Sequence, residues 1–166
     1  VELDLIPVTL LGQGKQSIAV GLAVMGATDI EYSENGGLHS VSYSNKGGAP
    51  CSLSVTYDTG ADALVCTHTK DGKENIYAQY QKTAFGYVAQ YYLITEKGEA
   101  RLYQLSLSGE DGMVGVSKDA NKPSALTGGE AADFPKACPE WYAITGKAVT
   151  ALTSDGKDLS FEYIPT

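Results

Sequence analysis

From Leu38 to Val116 the chain repeats one pattern, a short run alternating apolar with polar residues followed by a turn rich in glycine. Successive side chains of an extended strand point to opposite faces, so this alternation builds strands with one apolar and one wet face. Val41 and Tyr43 alternate with Ser40, Ser42 and Ser44, and Leu53, Val55 and Tyr57 alternate with Ser52, Ser54 and Thr56. The turns carry Asn35-Gly36-Gly37, Asp71-Gly72, Gly98 and Gly109. These residues tolerate the left-handed backbone of tight hairpins. Strands joined by such short turns pair antiparallel with their neighbours in sequence.

The predicted fold class is therefore all-β, an antiparallel meander of about nine or ten strands with little or no helix. Half-apolar strands must hide one face, so the meander is expected to close into a barrel, curl strongly, or stack as a sandwich. Composition agrees, because 19 Gly and 11 Tyr against 3 Phe is the usage of strands and turns. A length of 166 residues suits a single domain over residues 1–166, and no linker-like stretch divides it.

Outside the meander the pattern changes. Residues 1–11 alternate and read as an extended segment interrupted at Pro7. Ile18–Met25 is apolar on both sides and predicts a buried central strand. Lys118–Pro139 carries Pro123, Gly128, Gly129 and Pro135 without any period. It predicts a long loop with one helical turn near residues 129–134. A last hairpin is expected around residues 154–157.

Charge and cysteines bound the function classes. Binding to nucleic acid or to an anionic membrane surface needs clustered Lys and Arg. Here the formal net charge is −8 and Arg101 stands without a basic cluster, so neither partner is expected. No run approaches the roughly 20 apolar residues of a membrane span. The chain starts at Val1, which predicts a removed leader and an extracytoplasmic location: secreted, periplasmic or cell surface. Cys51 follows Pro50 and Cys138 precedes Pro139, and these loop-like settings suggest a Cys51–Cys138 disulfide with Cys66 as a buried thiol. Three reduced cysteines are the alternative. No spacing suits zinc or calcium, so no metal and no cofactor is expected.

Two features carry candidate chemistry. The pentapeptide Asp58-Thr59-Gly60-Ala61-Asp62 resembles the active-site signature of retroviral-type aspartic proteases. That resemblance implies Asp58 as a catalytic carboxylate, paired with its copy in a homodimer so that two close carboxylates share one proton. The same residues are also what a tight turn between two strands uses. His68 lies two residues from Cys66 on one strand face, a Cys/His juxtaposition that is routine in any strand.

The broader signal is aromatic. Tyr80, Tyr87, Tyr91, Tyr92 and Tyr103 fall on neighbouring predicted strands, with Trp141 beyond them. Tyrosine favours places partly apolar and partly wet, such as pocket linings and interfaces. The function expected is a non-catalytic, exported β-domain acting in binding or assembly through a tyrosine-rich sheet face, with a protein partner. The alternatives are a barrel carrying a small apolar ligand and the Asp58 protease.

Overall fold

A computed structural model of the chain describes residues 14–146, 148–153 and 158–162, with side chains described through Gly146. The expected extended segment over residues 1–11 and the turn at residues 154–157 lie outside the described residues. Among the described residues, one α-helix, α1 (Lys15–Val24), precedes eleven strands: β1 (Thr28–Asn35), β2 (Leu38–Ser44), β3 (Pro50–Asp58), β4 (Ala63–Lys70), β5 (Lys73–Lys82), β6 (Tyr87–Ile94), β7 (Ala100–Ser108), β8 (Asp111–Lys118), β9 (Glu140–Thr145), β10 (Ala148–Thr153) and β11 (Asp158–Glu162). A short 3-10 helix covers Phe134–Ala137. Strand order in the sheet follows sequence order from β1 to β11. The all-β meander is thus the observed fold, with β10 and β11 described by backbone alone.

Hairpin chemistry sets this order. β4 and β5 are joined by Asp71 and Gly72, whose φ values are +52° and +70°. Two consecutive left-handed residues define the turn whose twist matches paired strands, and Asp-Gly is its favoured sequence. The β2–β3 and β6–β7 connections repeat one longer design. Asn45 N–H bonds Ala49 O at 2.9 Å and Gly48 N–H returns to Asn45 O at 2.8 Å. Thr95, Gly98 and Glu99 reproduce the same pair of bonds at 2.9 and 2.8 Å.

Ile18–Met25 is a correction. It lies largely within α1 and forms no strand. Ile18 and Leu22, four residues apart, are its buried pair, the spacing of one helix face. The helix stops at Gly26, φ +85°. Gly26 N–H bonds Ala23 O and Ala27 N–H bonds Leu22 O, the paired closing bonds of a glycine-terminated helix. Two-sided apolarity is shared by buried strands and by apolar helices, so it could not decide between them. No described helix is long and apolar enough to cross a membrane.

The barrel is a second correction: β1 and β11 are the ends of the strand order and do not pair, so the sheet is open. The chain divides instead into two compact units, one reaching Gly60 and resuming over Leu64–Tyr77, the other formed by Ala61–Ala63 and Ala78 onward. In the first unit α1 lies against β1. Register places Val41 opposite Leu53 and Tyr43 opposite Cys51, and Val41, Leu53, Val55 and Cys51 form its buried face. Strand β1 carries a bulge between Thr28 and Glu31 and Asp29 at φ +55°. Bulges and acidic residues blunt a sheet edge against further pairing.

In the second unit residues 119–139 form a strap over one face of the sheet. Gln79, Val88, Gln90, Tyr92, Leu102 and Ser106 are buried beneath it. Ser106 Oγ donates to Ala132 O at 2.5 Å, and Leu126, Pro135 and Cys138 are the strap's own buried residues. Gly115 admits the strap's end, since a Cβ there would stand 2.2 Å from Pro135 O. With the strap to bury its apolar residues, the second unit needs no closed barrel to hide its core.

All three cysteines are free thiols, which corrects the expected Cys51–Cys138 disulfide. Cys51 and Cys138 have other partners instead: Cys51 Sγ faces Ala49 O at 3.6 Å and Cys138 Sγ donates to Gln104 Oε1 at 3.3 Å. Cys51 is also a buried strand residue, whereas Pro50 had suggested a loop. Alkylation in denaturant without reductant should therefore add three labels per chain by mass spectrometry; a single label would restore the disulfide. Gly115→Ala should cost about 1–3 kcal/mol in urea unfolding through overpacking against the strap; an unchanged midpoint would remove the strap from that position.

Candidate binding face

Neighbouring strands set the composition of the second unit's other face. Register pairs Tyr87 with Leu107, Ala89 with Leu105 and Tyr91 with Tyr103. It continues Tyr103 to Val116 and Leu105 to Val114, then Val114 to Tyr142 and Gly112 to Ile144. These residues share one face because directly opposed residues in an antiparallel pair point the same way. The Tyr80 ring stands edge-on to Tyr87, centroids 6.2 Å apart. Tyr91 and Tyr103 stand tilted at 6.3 Å. Such offset and edge-to-face contacts suit the ring quadrupoles.

This face is half open. Leu107 is 52% exposed, Ile144 41% and Tyr87 38%, while Tyr80, Tyr91, Tyr103, Leu105 and Val114 are intermediate. Scattered exposed apolar residues are ordinary, but a contiguous aromatic and aliphatic patch marks a contact surface. Charges fringe it. Tyr87 Oη donates to Asp62 Oδ2 at 2.7 Å, and Lys82 Nζ lies 3.7 Å from the same oxygen. At the far end Arg101 and Lys118 are register partners, and Arg101 pairs with Glu99 at 3.3 Å. An apolar centre with a charged, wet rim is how recognition surfaces are usually built.

Of the six predicted aromatic residues, Tyr80, Tyr87, Tyr91 and Tyr103 meet on this face. Tyr92 and Trp141 do not. Tyr92 has the opposite parity to Tyr91 in β6 and is buried under the strap. Trp141 pairs with Gly115 on the strap side, where Lys136 Nζ lies 5.2 Å from its ring centroid. Sequence reading placed Asp62 in the pentapeptide turn but missed its bond to Tyr87, because its left-handed φ of +48° belongs to a loop with no periodic signal.

Asp58 is exposed at the end of β3. Its Oδ1 accepts the Gly60 N–H at 2.8 Å, the Asx-turn bond that Asp supplies in hairpin loops. The pentapeptide's two carboxylates thus have separate duties: Asp58 closes the turn and Asp62 holds the Tyr87 hydroxyl.

His68 is 5% exposed with both ring nitrogens engaged. Nδ1 faces Asn75 Oδ1 at 2.6 Å and Nε2 faces Tyr43 Oη at 3.0 Å. The amide oxygen only accepts, so hydrogen-bond logic assigns the proton to Nδ1 and makes Tyr43 the donor to Nε2. Both nitrogens are therefore satisfied without Cys66. Burial pushes the Cys66 thiol up to about 11, and the thiol rather than the nucleophilic thiolate is its form near neutral pH. Among the described residues, no three His, Cys, Asp or Glu side chains converge to hold a metal ion.

The hydrogen bond to Asp62 raises the Tyr87 pKa above the ordinary tyrosine value, with burial and the Asp62 charge acting in the same direction. The contact therefore favours the folded state while the phenol is neutral. That contribution is complete below the usual tyrosine pKa and lost as pH rises through the folded value. Asp62→Asn should lower the Tyr87 pKa toward about 10, read from ring carbon shifts in an alkaline titration; an unmoved titration would break the assigned contact. Searches of protein-family models, curated proteins and solved structures find no match to this chain.

Proposed function

We propose that the chain is a non-catalytic binding domain whose docking surface for a protein partner is the tyrosine face of β5–β9. One observation carries this reading: Tyr80, Tyr87, Tyr91 and Tyr103 converge from three strands on a half-open face, while the strap covers the opposite face. Tyrosine supplies large apolar contact area plus a polar tip at small conformational cost, which is why it recurs at binding hot spots. The aliphatic residues Leu105, Leu107 and Val114 extend the apolar centre, and the charges near Asp62 and Arg101 supply its rim. The bulged, acidic edge at β1 disfavours strand addition there, so the reading assigns docking to the face.

The test is selection from a random peptide library against the folded chain, followed by binding to a Tyr91→Ser/Tyr103→Ser double variant. The selected peptides should bind the double variant at least about tenfold more weakly, the scale of losing one hot-spot contact. Circular dichroism should show the sheet unchanged, because both rings are only half buried. Peptides that bind both proteins equally would overturn the reading.

A further inference from the structure

The strap is held in an unusual way. Its first half, residues 120–127, belongs to no helix or strand. The face beneath reads its backbone with side-chain amides. Gln79 accepts the Leu126 N–H at 2.8 Å and donates to Leu126 O at 3.2 Å. A neighbouring β-strand would offer one residue this same pair of bonds. Gln90 donates to Ser124 O at 2.8 Å and to Gln79 Oε1 at 3.1 Å. Ser124 and Leu126 lie two apart, so their carbonyls share one edge of the extended segment. Both glutamines are buried, 6% and 2% exposed, and Leu126 is the strap's one buried side chain in this stretch.

The geometry points to a recognition site for an extended peptide on the Gln79–Gln90 face, with the strap as its resident cis ligand. The site asks little of its ligand's sequence: two backbone positions presented on one edge and an apolar side chain at the second of them. Recognition through main-chain bonds with one side-chain anchor is the logic of strand addition, performed here by amide side chains on a sheet face. The occupant it fits is an unstructured segment of a partner with a small residue, any residue, then an aliphatic one, as in Ser124-Ala125-Leu126. This site lies on the face opposite the tyrosines and stands independently of the function proposed for them. The tethered strap competes at high effective concentration, so an external peptide binds only when the strap is weakened or displaced.

The experiment uses a fluorescent peptide covering residues 119–131 and three full-length proteins: native, Leu126→Asp, and Leu126→Asp combined with Gln79→Leu. Anisotropy should show binding to Leu126→Asp at least about tenfold tighter than to native protein, and loss of that binding in the double variant. Leu126→Ala, a milder change, repeats the comparison if Leu126→Asp loses its sheet signal. The proposal is overturned if the peptide binds neither strap variant, if Gln79→Leu leaves the affinity unchanged, or if both strap variants unfold, because the strap is then an inseparable part of the core.

Discussion

Two buried glutamines hold the strap against one face of the second unit's sheet. A strand set with apolar residues on both faces has to cover at least one of them. Gln79 and Gln90 bond to the Ser124 and Leu126 backbone, and Ser106 and Gln104 fasten the strap further along. An amide buried without partners would cost about 1–3 kcal/mol per unsatisfied group. Once that face is covered, the polar row therefore needs a covering segment that presents free backbone groups. Once the strap is in place, the tyrosine face is the one left open, and the proposed binding role rests on that division of faces.

The same economy explains why the sheet does not close. Barrel closure solves two problems at once, hiding a face and removing edges. Here the strap solves the first in the second unit, and in the first unit α1 lies against β1. The second is met at β1 by a bulge and by Asp29, Glu31 and Glu34 along the strand. An open meander of short hairpins is sufficient.

Much of the fold was legible because alternation and turn chemistry are local. The Asp71-Gly72 and Asn35-Gly36-Gly37 turns follow from residues that accept positive φ; β2, β3, β5 and β7 follow from period-two patterns, and β4, β6 and β8 from the turns that bound them. The tyrosine face was half legible: parity alone separates Tyr91 from Tyr92, but Trp141 needed the β8–β9 register. Three features were hidden for physical reasons. Ile18–Val24 is apolar on both sides, as a buried strand would be, and only Gly26 betrays a helix end. Cys51 and Cys138 sit beside prolines, yet each thiol turns to a nearby oxygen. Gln79 and Gln90 occupy polar positions in ordinary strand alternation, and nothing local reveals that a segment 47 and 34 residues further along covers them.

The division of faces is open to one direct measurement, solvent accessibility by nuclear magnetic resonance with a neutral, soluble paramagnetic chelate. The account predicts strong broadening of the Tyr87, Tyr91 and Tyr103 ring signals, with the Tyr92 ring and the Leu126 amide protected. Comparable broadening of Tyr92 and Leu126, or protection of Tyr87 and Tyr91, would contradict it, because the strap would then not cover the face assigned to it.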